Sequence, residues 1–426
     1  MSLNRTVVVA TAVYFATYVL IGALGGAVGP TLGPFAAQVG VGLSTIGIIL
    51  TTRSLGYLAG ALGSTRWMDK IRVHRGLAAL SLLAGVALAT LPWARSFGLL
   101  VFLVVPLGLA TAGLDVGAST MLLRAHRDRA APFISALHFS YGVGGLAAPF
   151  VVAALAIGKE TSVYFLLAAG FAVLALVYLS LPEMPRHPTT TAAEDAAKPA
   201  AAERGSLAST PSVAPRQLGR GFLTATLVVA QKQLKSGFLA ATTVILFYVG
   251  AEIGFASWLY VFVNLQFGTP IATAVTGAFW AAFSLARLGA VFAARRFAPE
   301  RILAVAFASG LAFALLLVLA PHALVAVWIG AIGVGASVGP IYPNVITAYS
   351  HRFELTGKRF GAIAVASCTG SMVFPWLIGR LLDVGGTVVV PATTAALLVV
   401  AAGAAWTFLQ RRPRHPDETP LAENGR

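Results

Sequence analysis

Long apolar runs recur twelve times along the chain, at Thr6–Val28, Leu43–Ser64, Leu77–Trp93, Leu99–Leu123, Phe133–Ile157, Val163–Leu181, Phe238–Val263, Ile271–Ala294, Ile302–Ala320, Ala323–Tyr349, Gly361–Leu382 and Val388–Leu409. Crossing ~30 Å of hydrocarbon as a helix takes roughly 20 mostly apolar residues. With 58% hydrophobic and only 11% charged residues, the 426-residue chain is more apolar than a soluble domain needs to bury one core. The pattern predicts an all-α membrane protein of twelve transmembrane helices. Short loops between the runs leave no room for a soluble catalytic domain. Gly and Pro within the runs are tolerable, because neighbouring helices and water satisfy the freed backbone groups. A signal peptide would compete for the first run, but Thr6–Val28 exceeds the usual apolar region of about 7–15 residues and ends in the Gly-rich stretch Gly22–Gly29.

The net charge of +15 is distributed unevenly. With a cytoplasmic N-terminus, 25 of the 30 Lys and Arg residues fall on the inner side, among them Arg66, Lys70, Arg72 and Arg75 after the second run and Arg124, Arg127 and Arg129 after the fourth. Arg95 and Lys159 lie in outer loops, and Arg53, Arg287 and Arg380 fall within runs. That asymmetry places both termini in the cytoplasm, in an inner (cytoplasmic) membrane. It accounts for the charge with the lipid bilayer as partner and without nucleic acid. The single cysteine, Cys368, forms no internal disulfide and says nothing firm about redox compartment.

Between Pro182 and Lys235 the composition shifts to Pro, Ala, Thr and Ser, too polar to order itself by burial. This divides the chain into an N-terminal six-helix bundle (1–182), a cytoplasmic linker (183–235), a C-terminal six-helix bundle (236–410) and a cytoplasmic tail (411–426). Within the linker, Phe222–Ala230 reads equally as an interfacial helix or as a disordered segment. The halves look like diverged copies: Gly144 and Pro149 of run 5 recur as Gly370 and Pro375 of run 11, an offset of 226, and runs 2 and 8 each hold an Arg near Leu-Gly (Arg53, Leu55, Gly56; Arg287, Leu288, Gly289). Repeats of this kind place a binding site at their interface near the midplane.

Asp115 and Glu252 are the acids embedded in the interior of apolar runs. Such groups face a bundle interior or a water-filled cavity and mark ion or substrate paths. Thr111, Asp115 and Ser119 share one face of their helix, as do Tyr248 and Glu252. Further polar stripes run through Thr276, Trp280, Ser284 and Arg287, and through Ser337, Asn344 and Thr347. Each carboxylate can exchange a proton or accept a substrate hydroxyl. Arg53 and Arg287 are their expected charge partners, with snorkelling or substrate contact as alternatives. His138, within a turn of Tyr141, is a packed histidine or a proton relay. Tyr14 and Tyr18 stripe the first run and, with Trp280, offer aromatic platforms. Gly56 and Gly60 read as packing positions.

Chemistry of other kinds finds no footing. There is no metal-ligand spacing, no nucleophile constellation and no Walker loop, and Gly142–Gly145 lies inside a membrane helix rather than at a strand-to-helix turn. The chain reads as a non-enzyme without cofactor or metal, and as a monomer.

Several motifs resemble the major facilitator superfamily over essentially all twelve runs. Gly60-Ala-Leu-Gly63, followed by Asp69, Lys70, Arg72 and Arg75, resembles its loop signature with imperfect spacing, which implies a gating role for Asp69, Arg72 and Arg75. Gly113-Leu-Asp115-Val-Gly-Ala-Ser119 and Leu137-His-Phe-Ser-Tyr-Gly-Val-Gly-Gly-Leu-Ala-Ala-Pro149 resemble the fucose, glucose and mannose symporter branch and its sodium-dependent glucose transporter relatives. Tyr248-Val-Gly-Ala-Glu252-Ile-Gly-Phe-Ala-Ser-Trp258, Gly339-Pro-Ile-Tyr-Pro343 and Phe374-Pro-Trp-Leu-Ile-Gly-Arg380 complete that set. The resemblance puts Asp115 in the place of the branch's cavity carboxylate. Fucose-type members also carry an acid in the first helix, and this chain has none between Arg5 and Asp69, which shifts weight to Glu252.

The expectation is therefore a secondary transporter that imports a small molecule, a hexose, by alternating access, coupled to a proton through Asp115, Glu252 or both, with sodium as the other ion. A proton-coupled exporter of lipophilic or aromatic compounds is the alternative, and a receptor or scaffold that has lost transport is a third reading. Helix 5 lacks the adjacent Gly-Pro pair that exporters favour.

Overall fold

The computed structural model describes residues 5–67, 72–127, 130–155, 160–182, 237–353 and 357–410. Asp69, the segment Phe222–Ala230 and the tail lie outside these residues. Among the described residues twelve helices are long and apolar enough to cross a membrane, and there is no strand. We number them α1 (Arg5–Val39), α2 (Ile48–Trp67), α3 (Val73–Thr90), α4 (Phe97–His126), α5 (Ala130–Leu155), α6 (Val163–Ser180), α7 (Phe238–Phe267), α8 (Thr269–Ala293), α9 (Pro299–Leu319), α10 (Leu324–Val338), α11 (Gly357–Gly385) and α12 (Val389–Leu409). A short helix, Leu43–Ile46, precedes α2, and Ile341–Ser350 continues α10.

Two helices depart from the pattern read in the sequence. α1 does not stop at Val28; it carries Pro30 and Pro34 inside it and runs on to Val39. It stops where a glycine permits: Gly40 sits at φ +69°, and the Val41 N–H reaches the Ala36 carbonyl at 3.0 Å, closing the last turn. The Gly-rich stretch is not a terminator but a contact strip. A side-chain carbon on Gly22 would collide with the Tyr141 carbonyl of α5, and one on Gly29 would lie 3.1 Å from Tyr260 of α7. Helix 10 is discontinuous. The chain leaves α10 at Val338, passes Gly339 and Pro340, and resumes at Ile341, where Asn344 Nδ2 donates to the Pro340 carbonyl at 2.7 Å.

Glycine also fixes the repeated architecture, because small residues let membrane helices approach backbone to backbone. Gly144 of α5 packs on the Val19 carbonyl and Ala23 amide of α1; Gly370 of α11 packs on the Leu246 carbonyl and Gly250 amide of α7. The two crossings repeat at offsets of 226 and 227. Gly108 of α4 likewise meets the Arg53 carbonyl where Gly335 of α10 meets that of Phe279. In this register Arg53 corresponds to Phe279, not to Arg287, so the Arg-Leu-Gly likeness of runs 2 and 8 is no part of the repeat. Gly56 and Gly60 pack α2 onto Val105 and Leu109 of α4, as expected of packing positions.

The halves meet along a seam. Gly277 and Trp280 of α8 face Phe150 and Gly145 of α5, Thr51 Oγ1 of α2 donates to the Met372 carbonyl of α11 at 2.8 Å, and Ser54 Oγ to that of Ser371 at 3.3 Å. Trp258 of α7, fully buried, donates Nε1–H to the Pro375 carbonyl at 2.8 Å and lies against Gly47, just before α2. These contacts run from mid-helix to the end where α1 turns into α2. Toward the opposite end, Gly63, Gly289 and Gly361 have no heavy atom within 4 Å of a side-chain position.

Candidate functional site

Asp115 projects from the middle of α4, half-buried, and its carboxylate is held by hydroxyls. Tyr18 of α1 donates to Oδ1 and Tyr57 of α2 to Oδ2. Tyr18 and Ser119 Oγ, one turn along α4, are 2.5 Å apart. Three helices of one half thus converge on a single charge. The predicted partnership with Arg53 does not form. Among the described residues no ion pair joins them, and Arg53 instead lines a cavity of about 30 Å³ with Leu24, Leu50, Val104 and Tyr164. Its Nε is buried without a hydrogen-bond partner. One turn separates Arg53 from Tyr57 on α2, and the shorter, neutral phenol occupies the carboxylate.

The second acid is built differently. Glu252, also half-buried, takes a hydrogen bond at Oε2 from Tyr248, one turn back on the same helix. Arg287 of α8 lies within electrostatic reach of Glu252 and Tyr248, but no ion pair forms among the described residues. Its guanidinium sits 4.5 Å from the Phe283 ring and donates Nε–H to the Gly339 carbonyl at 3.1 Å. That carbonyl is exposed by the break in helix 10, whose following N–H is missing at Pro343. Tyr248 thus stands between the two charges, donating to Glu252 and within reach of the Arg287 guanidinium.

Aromatic side chains bridge that space. Tyr141 of α5 stands edge-on to Trp280 of α8 at 5.8 Å, and His138 stands edge-on to Tyr18 at 5.6 Å. Tyr141 is in electrostatic reach of Arg53, Asp115, Glu252 and Arg287.

Three candidates belong to the packing rather than the cavity. Tyr14 is fully buried and bonds His74 Nε2 at 2.8 Å beside Tyr178. Thr111, fully buried, returns its hydroxyl to the Leu107 and Gly108 carbonyls of its own helix. Asn344 is buried and spent on the helix restart. The stripe Ser337, Asn344, Thr347 does not share one face because the chain is not one helix there; Ser337 bonds Ser309 of α9 at 2.8 Å. Arg72 and Arg75 are exposed at the start of α3.

Sequence reasoning missed Tyr57, Tyr342 and Cys368. Tyr342 is in electrostatic reach of both acids and of Arg287, and Cys368 of Asp115 and Tyr57. The signal for Tyr57 was available: it is one turn from Arg53 in an apolar run.

Comparison with known proteins agrees with the twelve-helix fold. The family model described as "Major Facilitator Superfamily" matches residues 14–375. Sodium-dependent glucose transporter 1 of Rattus norvegicus is 33% identical over 396 residues, covering 86% of this chain and 79% of that protein. The Xenopus laevis protein of that name is 25% identical over 375 residues, covering 82% and 72%. Among solved structures, a D-xylose-proton symporter superposes with a TM-score of 0.73 at 12% identity over 95% of this chain and 98% of that one. A nucleoside transporter superposes at 0.68 with 14% identity, covering 95% and 99%. A family match over most of its length, with twelve helices long and apolar enough to span a membrane among the described residues and a glycine crossing repeated in each half, makes this chain a multi-pass membrane transporter that belongs to the major facilitator superfamily.

Proposed function

We propose that this transporter is a proton-coupled hexose symporter, taking a glucose- or mannose-like sugar inward by alternating access across an inner membrane. The observation that carries the reading is the Asp115 carboxylate, clamped by Tyr18 and Tyr57 and, among the described residues, in no ion pair. A charge at membrane depth calls for compensation, which is what a coupling ion supplies. Glu252 and Arg287 then read the sugar. A carboxylate oxygen accepts from one hydroxyl, a guanidinium donates to its neighbour, and the Trp280 and Tyr141 rings offer apolar faces to the sugar ring.

Sodium is the second reading, favoured by the printed name of the relatives, sodium-dependent glucose transporter 1. Three hydroxyl oxygens and a carboxylate are hard ligands that suit such a cation. In the expected orientation, with both termini cytoplasmic, the seam closes the outer face.

Uptake of labelled glucose, mannose, galactose and fucose into proteoliposomes, under proton or sodium gradients, tests the proposal. Asp115→Asn should abolish gradient-driven accumulation yet still exchange sugar, whereas Glu252→Gln should raise KM by about tenfold or more, as expected when a charged substrate contact is lost. Accumulation driven by sodium alone would replace the proton. Folded protein that moves none of these sugars under either gradient would end the hexose reading and turn the search to exported lipophilic compounds.

A further inference from the structure

The clamp on Asp115 and the seam between the halves share a helix. On α2, Thr51, Ser54 and Tyr57 follow one another at three-residue spacing, so they stripe one side of the helix within two turns. Thr51 and Ser54 donate across the seam to the Met372 and Ser371 carbonyls of α11; Tyr57 donates to Asp115 Oδ2. The second clamp residue repeats the plan on α1, where Tyr18 holds Oδ1 while Gly29, farther along, packs against Tyr260 of α7. The two helices whose tyrosines hold the carboxylate therefore also take part in the seam.

From this, and resting on the transport reading above, we infer that Tyr57 is the positioning residue through which occupancy of Asp115 is transmitted to the seam. The chemistry follows from hydrogen-bond direction. While Asp115 is ionised, both oxygens only accept, and the Tyr57 O–H donates. A proton added at Oδ2 converts that oxygen to a donor. The bond to Tyr57 then reverses, with the phenol oxygen accepting, and the hydroxyl hydrogen of Tyr57 needs another acceptor. The groups around this carboxylate are Tyr18 of α1, Tyr57 of α2, His138 and Tyr141 of α5, Tyr342 beyond α10 and Cys368 of α11. Of the two phenols that hold the carboxylate, Tyr57 is the one that shares its helix with side-chain donors crossing to the other half, among the described residues. Its hydroxyl is not needed to fill space, because Tyr57→Phe keeps the ring and removes only the donor.

The seam can be read without any substrate. At its end a cavity of about 150 Å³ lies between α1, α5 and α7, lined by Pro30, Gly33, Val152, Tyr260 and Asn264. A side chain on Gly33 would meet no heavy atom within 4 Å. The chain has one native cysteine, so Gly33→Cys in a Cys368→Ser background is a single-thiol reporter of the full-length protein. In unsealed membranes its maleimide labelling rate, divided at each pH by that of the same thiol in the denatured protein so that thiol ionisation cancels, is compared at acidic and alkaline pH, with Tyr57→Phe and Asp115→Asn added in turn; this normalised rate is the readout.

The expected result is a rate that changes with pH by at least about fivefold, the low end of coupling between linked sites. Asp115→Asn and Tyr57→Phe should each hold the rate at one value, with thermal melting of the Tyr57→Phe protein unchanged. Labelling that still responds to pH in Tyr57→Phe overturns the inference, as does labelling indifferent to pH in the parent reporter. Absence of sugar uptake alongside pH-responsive labelling would sink the hexose reading and leave the wiring standing. Normal coupled uptake by Tyr57→Phe would do the reverse.

Discussion

Arg53 sits at membrane depth with its Nε bonded to nothing in the protein, beside a cavity with room for a water or two. If it neutralised Asp115, removing it would leave a buried carboxylate uncompensated, at a cost of about 3–5 kcal/mol. The observed geometry predicts the opposite. Arg53→Met removes a charge that is itself costly to bury, by roughly 2.5–3.5 kcal/mol at a helix centre, and leaves the Tyr18 and Tyr57 bonds in place. Thermal melting in detergent should therefore hold or rise, and ion-coupled accumulation should persist; a sharp loss of both would restore the ion pair. The two acids were legible in the sequence because a carboxylate in an apolar run is conspicuous. Their partners were not, since opposite charges suggest one another by sign alone, whereas Tyr57 carries no charge to draw notice, and which side chain of α2 reaches α4 depends on the crossing set by Gly56 and Gly60.

At the scale of the helix, glycines divide into those that hold crossings and those that hold nothing. Gly144 has the Val19 carbonyl where a side-chain carbon would go, and backbone cannot step aside as a flexible side chain can. Gly144→Ala should destabilise by about 1–3 kcal/mol, the usual toll of overpacking, and Gly370→Ala should match it across the repeat. Gly289→Ala, with open space and an ordinary helical conformation, should be neutral or gain roughly 0.5–1 kcal/mol. Melting temperatures of the three variants check this, and equal losses in all of them would remove the distinction. The twelve spans were readable because hydrophobic length is a local property. The extension of α1 past Pro30 and Pro34 and the break at Gly339-Pro340 were not. Both depend on what neighbouring helices do with freed backbone groups: Arg287 takes up the Gly339 carbonyl, while nothing in a proline's identity says whether its helix continues.

At the scale of the whole molecule the seam closes one face: a transporter with its outer face shut stands ready to release cargo inward, and the inverted molecule would stand ready to receive it. Geometry alone is symmetric on this point, since a bundle turned over keeps every contact. Charge breaks the tie. Exposed Arg72, Arg75, Arg295 and Arg296 cluster at the end away from the seam, whereas the turn between α9 and α10, at the seam end, offers His322. A positive-inside membrane therefore predicts that the seam faces outward. In a Cys368→Ser background, His322→Cys should react with an impermeant maleimide applied to intact cells, and Arg296→Cys should react only after permeabilisation. Both positions are exposed loop residues, so their substitution leaves the packing between halves untouched. The reverse labelling pattern would turn the molecule over and with it the assignment of the seam to the outer face, though not the link from Asp115 through Tyr57 to that seam, which depends on contacts and not on sidedness.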